Sequence, residues 1–366
     1  MANLVAKRQF NGFDLDLNLL VRASYDSSFN NDANFKYNGK IYKDFAEFIY
    51  TNNNYYFATL FGGPNLNVNG SGTVTGVLNL YWTGSKWLES WGLESISYSV
   101  SLLKSAAYTA STSDDYKIIK AIMKGDDNIT MSNYADSVSG YSGNDVIKGN
   151  GGNDILYGDT GNDKLDGGSG DDIIHGDVSH SGGTYASVKG KDTLTGGNGN
   201  DQLDGGYGDD TISGGDGDDL IYGAGGTDTM TGDAGNDILV AYQTKDKLTG
   251  GAGSDTFVFY NWGNSAMNAT VTDFKSGTDF LNIECWSNSL NDFVIMDYNN
   301  FSSGKGLTSS NNSTMFVYDS SKGNLYFDAD GNGSGKGALI VTLIGTPKIS
   351  TNDFTAVDLS TYDLFF

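Results

Sequence analysis

Aspartate recurs every nine residues through the middle third of the chain. It stands at 127, 136, 145, 154, 163 and 172, and again at 192, 201, 210, 219, 228, 237, 246 and 255. Between the two runs the phase slips, because 20 residues separate Asp172 from Asp192, two more than two repeats. The best units read Gly-Gly-x-Gly-x-Asp-x-apolar-x. Gly149, Gly151 and Gly152 precede Asp154; Gly158 and Gly161 precede Asp163; Gly167, Gly168 and Gly170 precede Asp172. In the second run Gly196, Gly197 and Gly199 precede Asp201, and Gly205, Gly206 and Gly208 precede Asp210. Gly214, Gly215 and Gly217 precede Asp219, and Gly223, Gly225 and Gly226 precede Asp228. Gly232 and Gly235 precede Asp237, and Gly250, Gly251 and Gly253 precede Asp255. With Asp145 and Asp192, these residues are the candidate metal ligands.

The chemistry follows from the residue types. Glycine at places one, two and four permits positive φ and close backbone approach. Such loops aim main-chain carbonyls at a cation, and the Asp adds a formally negative oxygen. Carbonyls with a carboxylate, and no His or Cys, make a hard oxygen site suited to several Ca²⁺ ions. Mg²⁺ fits less well, since it keeps its waters and demands a tight octahedron. Units around Asp127, Asp136 and Asp246 lack most of the glycines and read as structural turns.

The elements that must position these loops are also visible. The eighth place is apolar in all 14 units, from Ile129 and Val138 to Leu248 and Phe257. A flexible Gly-rich linker would not hold apolar residues in phase in this way. The three residues after each Asp read as a short strand with the eighth place inward, and two nonapeptides make one turn of a coil. Asp residues 18 apart (145 and 163, 154 and 172, 192 and 210, 201 and 219) then stack on one side and share an ion. The expected fold is mainly β: a parallel β-roll over 123–258 between an N-terminal β-rich domain, 1–122, and a C-terminal β-rich region, 259–366. The phase slip reads as a loop extruded at 176–189, with His175 and His180 as incidental residues of a solvated loop.

Composition narrows the classes of function. The chain has 366 residues, a net charge of -23, two His and one Cys, Cys285. Its acidity rests on 41 Asp and only 4 Glu. Glu is the better helix former, so this bias points to turns and oxygen sites rather than helix faces. So acidic a surface disfavours phosphate-backbone contacts, so no nucleic-acid partner is expected. One Cys excludes a disulfide scaffold. No run approaches the length of a membrane span, and the first ten residues lack the apolar core of a cleaved export signal. If the protein leaves the cell, its export signal is expected elsewhere in the chain.

The nonapeptides resemble the RTX (repeats-in-toxin) proteins, also described as hemolysin-type calcium-binding repeats, in which they form a parallel β-roll with Ca²⁺ between turns. The segments Asp255–Phe259, Val271–Phe274 and Gly277–Leu281 look like the region after the repeats in serralysin-type proteases. In that family this region closes the roll and carries an uncleaved C-terminal secretion signal. Asp363-Leu364-Phe365-Phe366, an acidic residue followed by apolar ones, resembles the signal read by type I secretion machinery. The resemblance implies a secreted protein, extracellular or on the cell surface. Its N-terminal part resembles regions attached to secreted bacterial Ca²⁺-binding RTX proteins of unassigned role.

Outside the repeats, Thr73–Trp82 reads as a strand, and Ser95–Leu102 alternates as a second strand. Residues 112–123 have the caps and spacing of a helix that would cover the roll's open first turn. Asp328, Asp330, Asn332 and Ser334 imitate an EF-hand opening, but position 339 is Leu where a Glu is required. A hairpin turn between Leu325–Phe327 and Ala338–Leu343 is expected instead.

No His-Glu-x-x-His or Gly-x-Ser-x-Gly is present. Glu89 and Glu94 lie among Trp82, Trp87 and Trp91, a pairing that can cleave or bind sugar; tryptophans of a β domain mostly fill its core. The first reading is a non-enzymatic, self-associating structural protein in a surface layer, filament or matrix. A surface-glycan binder and a glycan-processing enzyme are the alternatives.

Overall fold

In the computed structural model, the first 122 residues are described through six strands, by their backbone alone. Beyond them the structure describes residues 123–177, 190–242, 245–261, 266–287, 292–295, 301–305, 316–328, 337–355 and 357. The helix expected at 112–123, His180 and the terminal Asp363–Phe366 lie outside the described residues, Met123 excepted. The chain divides into two compact units, Met1–Lys164 and Leu165–Phe366.

In the first unit an antiparallel meander runs through Asp26–Tyr37, Lys40–Asn52, Tyr55–Gly62, Thr73–Trp82 and Trp87–Ser99. Thr73–Trp82 has the bounds read from the sequence, whereas the Ser95–Leu102 pattern is the end of a longer strand that stops at Ser99. Asn3–Ala6 adds antiparallel to Trp87–Ser99, with Asn3 opposite Glu94. Its other edge pairs parallel with Asn128–Thr130, the first strand of the repeats. A parallel neighbour thus covers the open edge of the first turn, as a solenoid end requires. Asn128–Thr130 pairs with Val146–Lys148, and Ser137–Ser139 with Ile155–Tyr157, each 18 residues on.

The second unit is built the same way at greater length. One parallel sheet joins Thr193–Asn198, Thr211–Asp216, Thr229–Ala234, Lys247–Ala252 and Ala269–Val271. The other joins Ile173–His175, Gln202–Asp204, Leu220–Tyr222, Ile238–Tyr242, Thr256–Asn261 and Phe280–Ser287. Strands of the second kind begin as the expected three residues. Those of the first run six, Ala269–Val271 excepted, because pairing to the next turn continues into the following glycine loop. This is a parallel β-roll, and its eighth-place residues form the core. Leu194, Ile212, Met230 and Leu248 face inward from one sheet, and Leu203, Ile221, Leu239 and Phe257 from the other, all at most 1% exposed. Each buried aliphatic side chain contributes roughly 1.5–3 kcal/mol.

After the repeats, Ala338–Leu343 pairs parallel with Ala269–Val271 and antiparallel with Asn324–Phe327. The expected hairpin is present, and its turn lies outside the described residues.

Candidate metal centre

The repeat Asp residues form ladders along the coil. The backbone N–H of Asp201 donates to Oδ1 of Asp219, 18 residues on, at 2.8 Å; Asp219 donates to Asp237 at 2.9 Å and Asp237 to Asp255 at 3.2 Å. A parallel series links Asp192, Asp210, Asp228 and Asp246 at 2.8–2.9 Å. In the first unit the same bonds link Asp127 to Asp145, Asp145 to Asp163, and Asp136 to Asp154. The expected stacking of 145 on 163, 192 on 210 and 201 on 219 is therefore present.

One oxygen of each carboxylate is consumed by the ladder. The other, Oδ2, is buried without a hydrogen-bond partner in Asp145, Asp201, Asp210, Asp219, Asp228 and Asp237. In all six it lies beside the first glycine of its own loop, and in Asp145, Asp201, Asp219 and Asp237 the matching carbonyl of the next turn borders the same space. A Cβ on Gly214 would lie 2.8 Å from the Gly232 carbonyl oxygen and closer still to Asp219 Oδ2. Gly232 stands in the same relation to Gly250 and Asp237. The first-place glycines thus keep space for an oxygen cluster. Positive φ belongs to places two and four only, for example Gly215 at 120° and Gly217 at 136°. This corrects the sequence reading, which assigned positive φ to place one as well. Tyr141, Asn150, Asp159, Ala224 and Asp233 take the left-handed conformation at place two without being glycine.

Burial pushes these carboxyls up from an ordinary 3.8. Asp201 rises to about 6, Asp154, Asp210, Asp219 and Asp237 to about 7, and Asp145 and Asp228 to about 8. The ladder hydrogen bond pulls each back, and neighbouring carboxylates push in the same direction as burial. An ionised carboxylate whose Oδ2 is unpartnered, as in Asp145, Asp201, Asp210, Asp219, Asp228 and Asp237, has lost water and kept one ladder hydrogen bond, so its charge is under-compensated. A cation among these oxygens supplies what is lacking. Among the described residues no three His, Cys, Asp or Glu side chains gather into a metal cluster. The donors are instead carboxylate oxygens alongside main-chain carbonyls, a set that fits Ca²⁺.

Residues 130–165, 149–178, 189–221, 204–239 and 222–257 match the family model of the RTX calcium-binding nonapeptide repeat, which spans four copies. The repeats are RTX calcium-binding nonapeptides. Such repeats bind Ca²⁺, and several ions are accommodated along their length. No curated protein matches the chain. Among the described residues no helix is long and apolar enough to cross a membrane.

Three features of the RTX loops were not read from the sequence. First, Asp192 has its glycines. A Cβ on Gly176 would meet Asp192 Oδ2 and the Gly205 carbonyl, the signature of place one, and Gly190 bridges to Gly208 as a place-four residue does. The phase slip is thus an insertion of 11 residues inside one nonapeptide, between Asp177 and Gly190. The pairing Asp172 to Asp201, 29 residues apart instead of 18, gives the same length. Asp177 closes the base of the insertion by accepting the Gly190 N–H at 2.9 and 3.0 Å and the Tyr207 N–H at 3.0 Å. His175 is correspondingly not on a solvated loop. It is buried on strand Ile173–His175, with Nδ1 3.7 Å from Asp204 Oδ2.

Second, the fifth place carries a ladder of its own on the exposed rim. Oδ1 of Asp171 accepts from Asn200 N, Asn200 from Asp218 N, Asp218 from Asn236 N and Asn236 from Ser254 N, at 2.7–3.0 Å. Its polarity is opposite to the sixth-place ladder, because here the earlier turn's side chain accepts. The sequence signal was present: Asn or Asp fills place five in nine of the 14 units. Third, Oδ2 of Asp136 accepts from Ser132 N at 2.8 Å and Ser132 Oγ at 2.7 Å. That glycine-poor unit satisfies its carboxylate with a serine, which agrees with a purely structural turn.

Proposed function

We propose that this is a secreted Ca²⁺-binding protein that folds outside the cell when Ca²⁺ enters its RTX loops, and that then serves as a non-enzymatic, self-associating structural component of an extracellular or cell-surface layer. In each well-formed loop the ion is held by the Oδ2 of the sixth-place Asp together with carbonyls of the glycine loops above and below. The observation that carries this reading is the file of buried carboxylate oxygens without hydrogen-bond partners, in Asp145, Asp201, Asp210, Asp219, Asp228 and Asp237, with main-chain carbonyls beside those of Asp145, Asp201, Asp219 and Asp237. An extracellular site with a dissociation constant of ~10⁻⁴ M, in millimolar Ca²⁺, stabilises the folded state by about 1.4 kcal/mol. At submicromolar Ca²⁺ that contribution vanishes. The roll is then under-stabilised inside a cell, the condition in which a chain is exported unfolded. The likeness of the C-terminal residues to a type I signal supports that route.

Ca²⁺ titrated into chelator-treated protein should raise the β signal in circular dichroism and the melting temperature together. Unchanged spectra would overturn the folding role. Electron microscopy with and without Ca²⁺ tests the structural role.

A further inference from the structure

The last RTX loop, Gly250–Asp255, is followed not by another nonapeptide but by Asp273-Phe-Lys-Ser-Gly-Thr-Asp279. In the fold this segment takes the position of the next loop. Asp279 sits where the next ladder Asp belongs, and its Oδ1 accepts from Asp255 N at 3.4 Å. Gly277 takes the positive φ of a fourth-place glycine, 84°. A Cβ there would meet nothing within 4 Å, whereas one on the fourth-place Gly253 would meet the Gly235 carbonyl, so Gly277 stands clear of the preceding turn.

The chemistry of this last position differs from that of the others. The Oδ2 of Asp201, Asp219 and Asp237 is left without a hydrogen bond, whereas Asp279 Oδ2 accepts from Lys275 N at 2.7 Å. Asp273 accepts from Gly250 N at 3.0 Å and Gly251 N at 2.9 Å. The Lys275 ammonium donates to the Gly251 carbonyl at 3.1 Å, a main-chain oxygen of the ion loop itself. The outer side is closed by Asp353, which accepts from Ser276 Oγ at 2.9 Å and Gly277 N at 2.7 Å. Burial raises the Asp255 and Asp279 carboxyls, and the Lys275 charge is among the influences that lower them again.

We infer that the ammonium of Lys275 takes the place of a calcium ion at the end of the array, so that the turn between Gly250 and Leu281 closes without Ca²⁺. The side chain is a tethered cation, present at any Ca²⁺ concentration. The C-terminal edge of the roll then stays formed when the ion loops are empty, and gives the preceding turns a ready-made strand on which to pair as Ca²⁺ arrives. This inference rests on the reading that the remaining loops are ion-dependent.

Hydrogen exchange of the full-length protein, followed by mass spectrometry in excess chelator and then across a Ca²⁺ titration, tests it. Amides of residues 250–283 should exchange about tenfold or more slowly than those of 193–222 in chelator. Lys275→Met, which keeps most of the stem and removes the charge, should abolish that protection, and Lys275→Arg should restore it. If 250–283 exchange as fast as 193–222 in chelator, or Lys275→Met leaves their protection intact, the inference is overturned. If no segment gains protection on adding Ca²⁺, the ion-dependent reading fails instead.

Discussion

At the scale of single residues, the sixth-place Asp holds two contradictory positions. Its Oδ1 belongs to the protein, through the ladder bond from the previous turn, and its Oδ2 is the oxygen proposed for the ion. Asp219→Asn separates them. The amide keeps an oxygen to accept from Asp201 N and turns its NH₂ toward the Gly232 carbonyl, which can accept it. In millimolar Ca²⁺ the variant loses a ligand and should melt lower, by the equivalent of about 1.4 kcal/mol if one site is lost. In chelator at pH 8 it has shed an under-compensated buried charge and should melt higher than the unmodified protein. Thermal melts in the two buffers check the reversal; a shift of the same sign in both would mean that Oδ2 is not an ion ligand.

At the scale of the element, the ladder gives stability a pH dependence whose direction turns on the ion. The carboxyls of Asp201, Asp219 and Asp228 rise from 3.8 to about 6, 7 and 8 in the fold. For an acid whose folded value is raised, the stabilisation is complete below its unfolded value and is lost as pH rises through the folded one. In chelator, the melting temperature should therefore fall between pH 5 and pH 8. In saturating Ca²⁺ the order should reverse, since protons compete with the ion for the same oxygens. Melting curves at several pH values, with and without the ion, give both slopes.

Periodicity made the roll, its inward face and its candidate oxygens legible, because every nonapeptide repeats the same local problem. The insertion was not legible in the same way. A spacing of 20 is equally two repeats plus two residues or one repeat plus 11, and only the pairing of Ile173–His175 with Gln202–Asp204 decides between them. Place-one glycine was misread because a sequence does not distinguish a residue chosen for its φ from one chosen for the oxygens beside it. The base of the insertion is stapled by Asp177, so the coil is expected to close without the inserted residues. Deleting residues 179–189 leaves Val178 as an ordinary third place. The shortened protein should bind Ca²⁺ with an unchanged midpoint and melt no lower, since closing a shorter loop costs less entropy. A raised midpoint in the Ca²⁺ titration would show that the insertion supports the ion site.

At the scale of the whole molecule, the proposed self-association would be linked to ion binding through charge. Fourteen of the 41 Asp stand at the ligand place, and the ion-free chain carries -23. Taking one ion per well-formed nonapeptide, about ten Ca²⁺ bring the net charge to roughly -3. Copies that repel one another without the ion then approach with little electrostatic cost. Added NaCl also weakens repulsion, by shortening the screening length, but it leaves the carboxylates unligated and the loops unformed. The two effects are therefore separable by experiment. Sedimentation velocity and electron microscopy in millimolar Ca²⁺, in chelator, and in chelator with NaCl at high ionic strength should show large ordered species in the first condition alone. Assembly in NaCl with chelator would assign association to screening rather than to the folded roll. A monomer that persists in millimolar Ca²⁺ would end the structural reading and leave the ion-binding one standing.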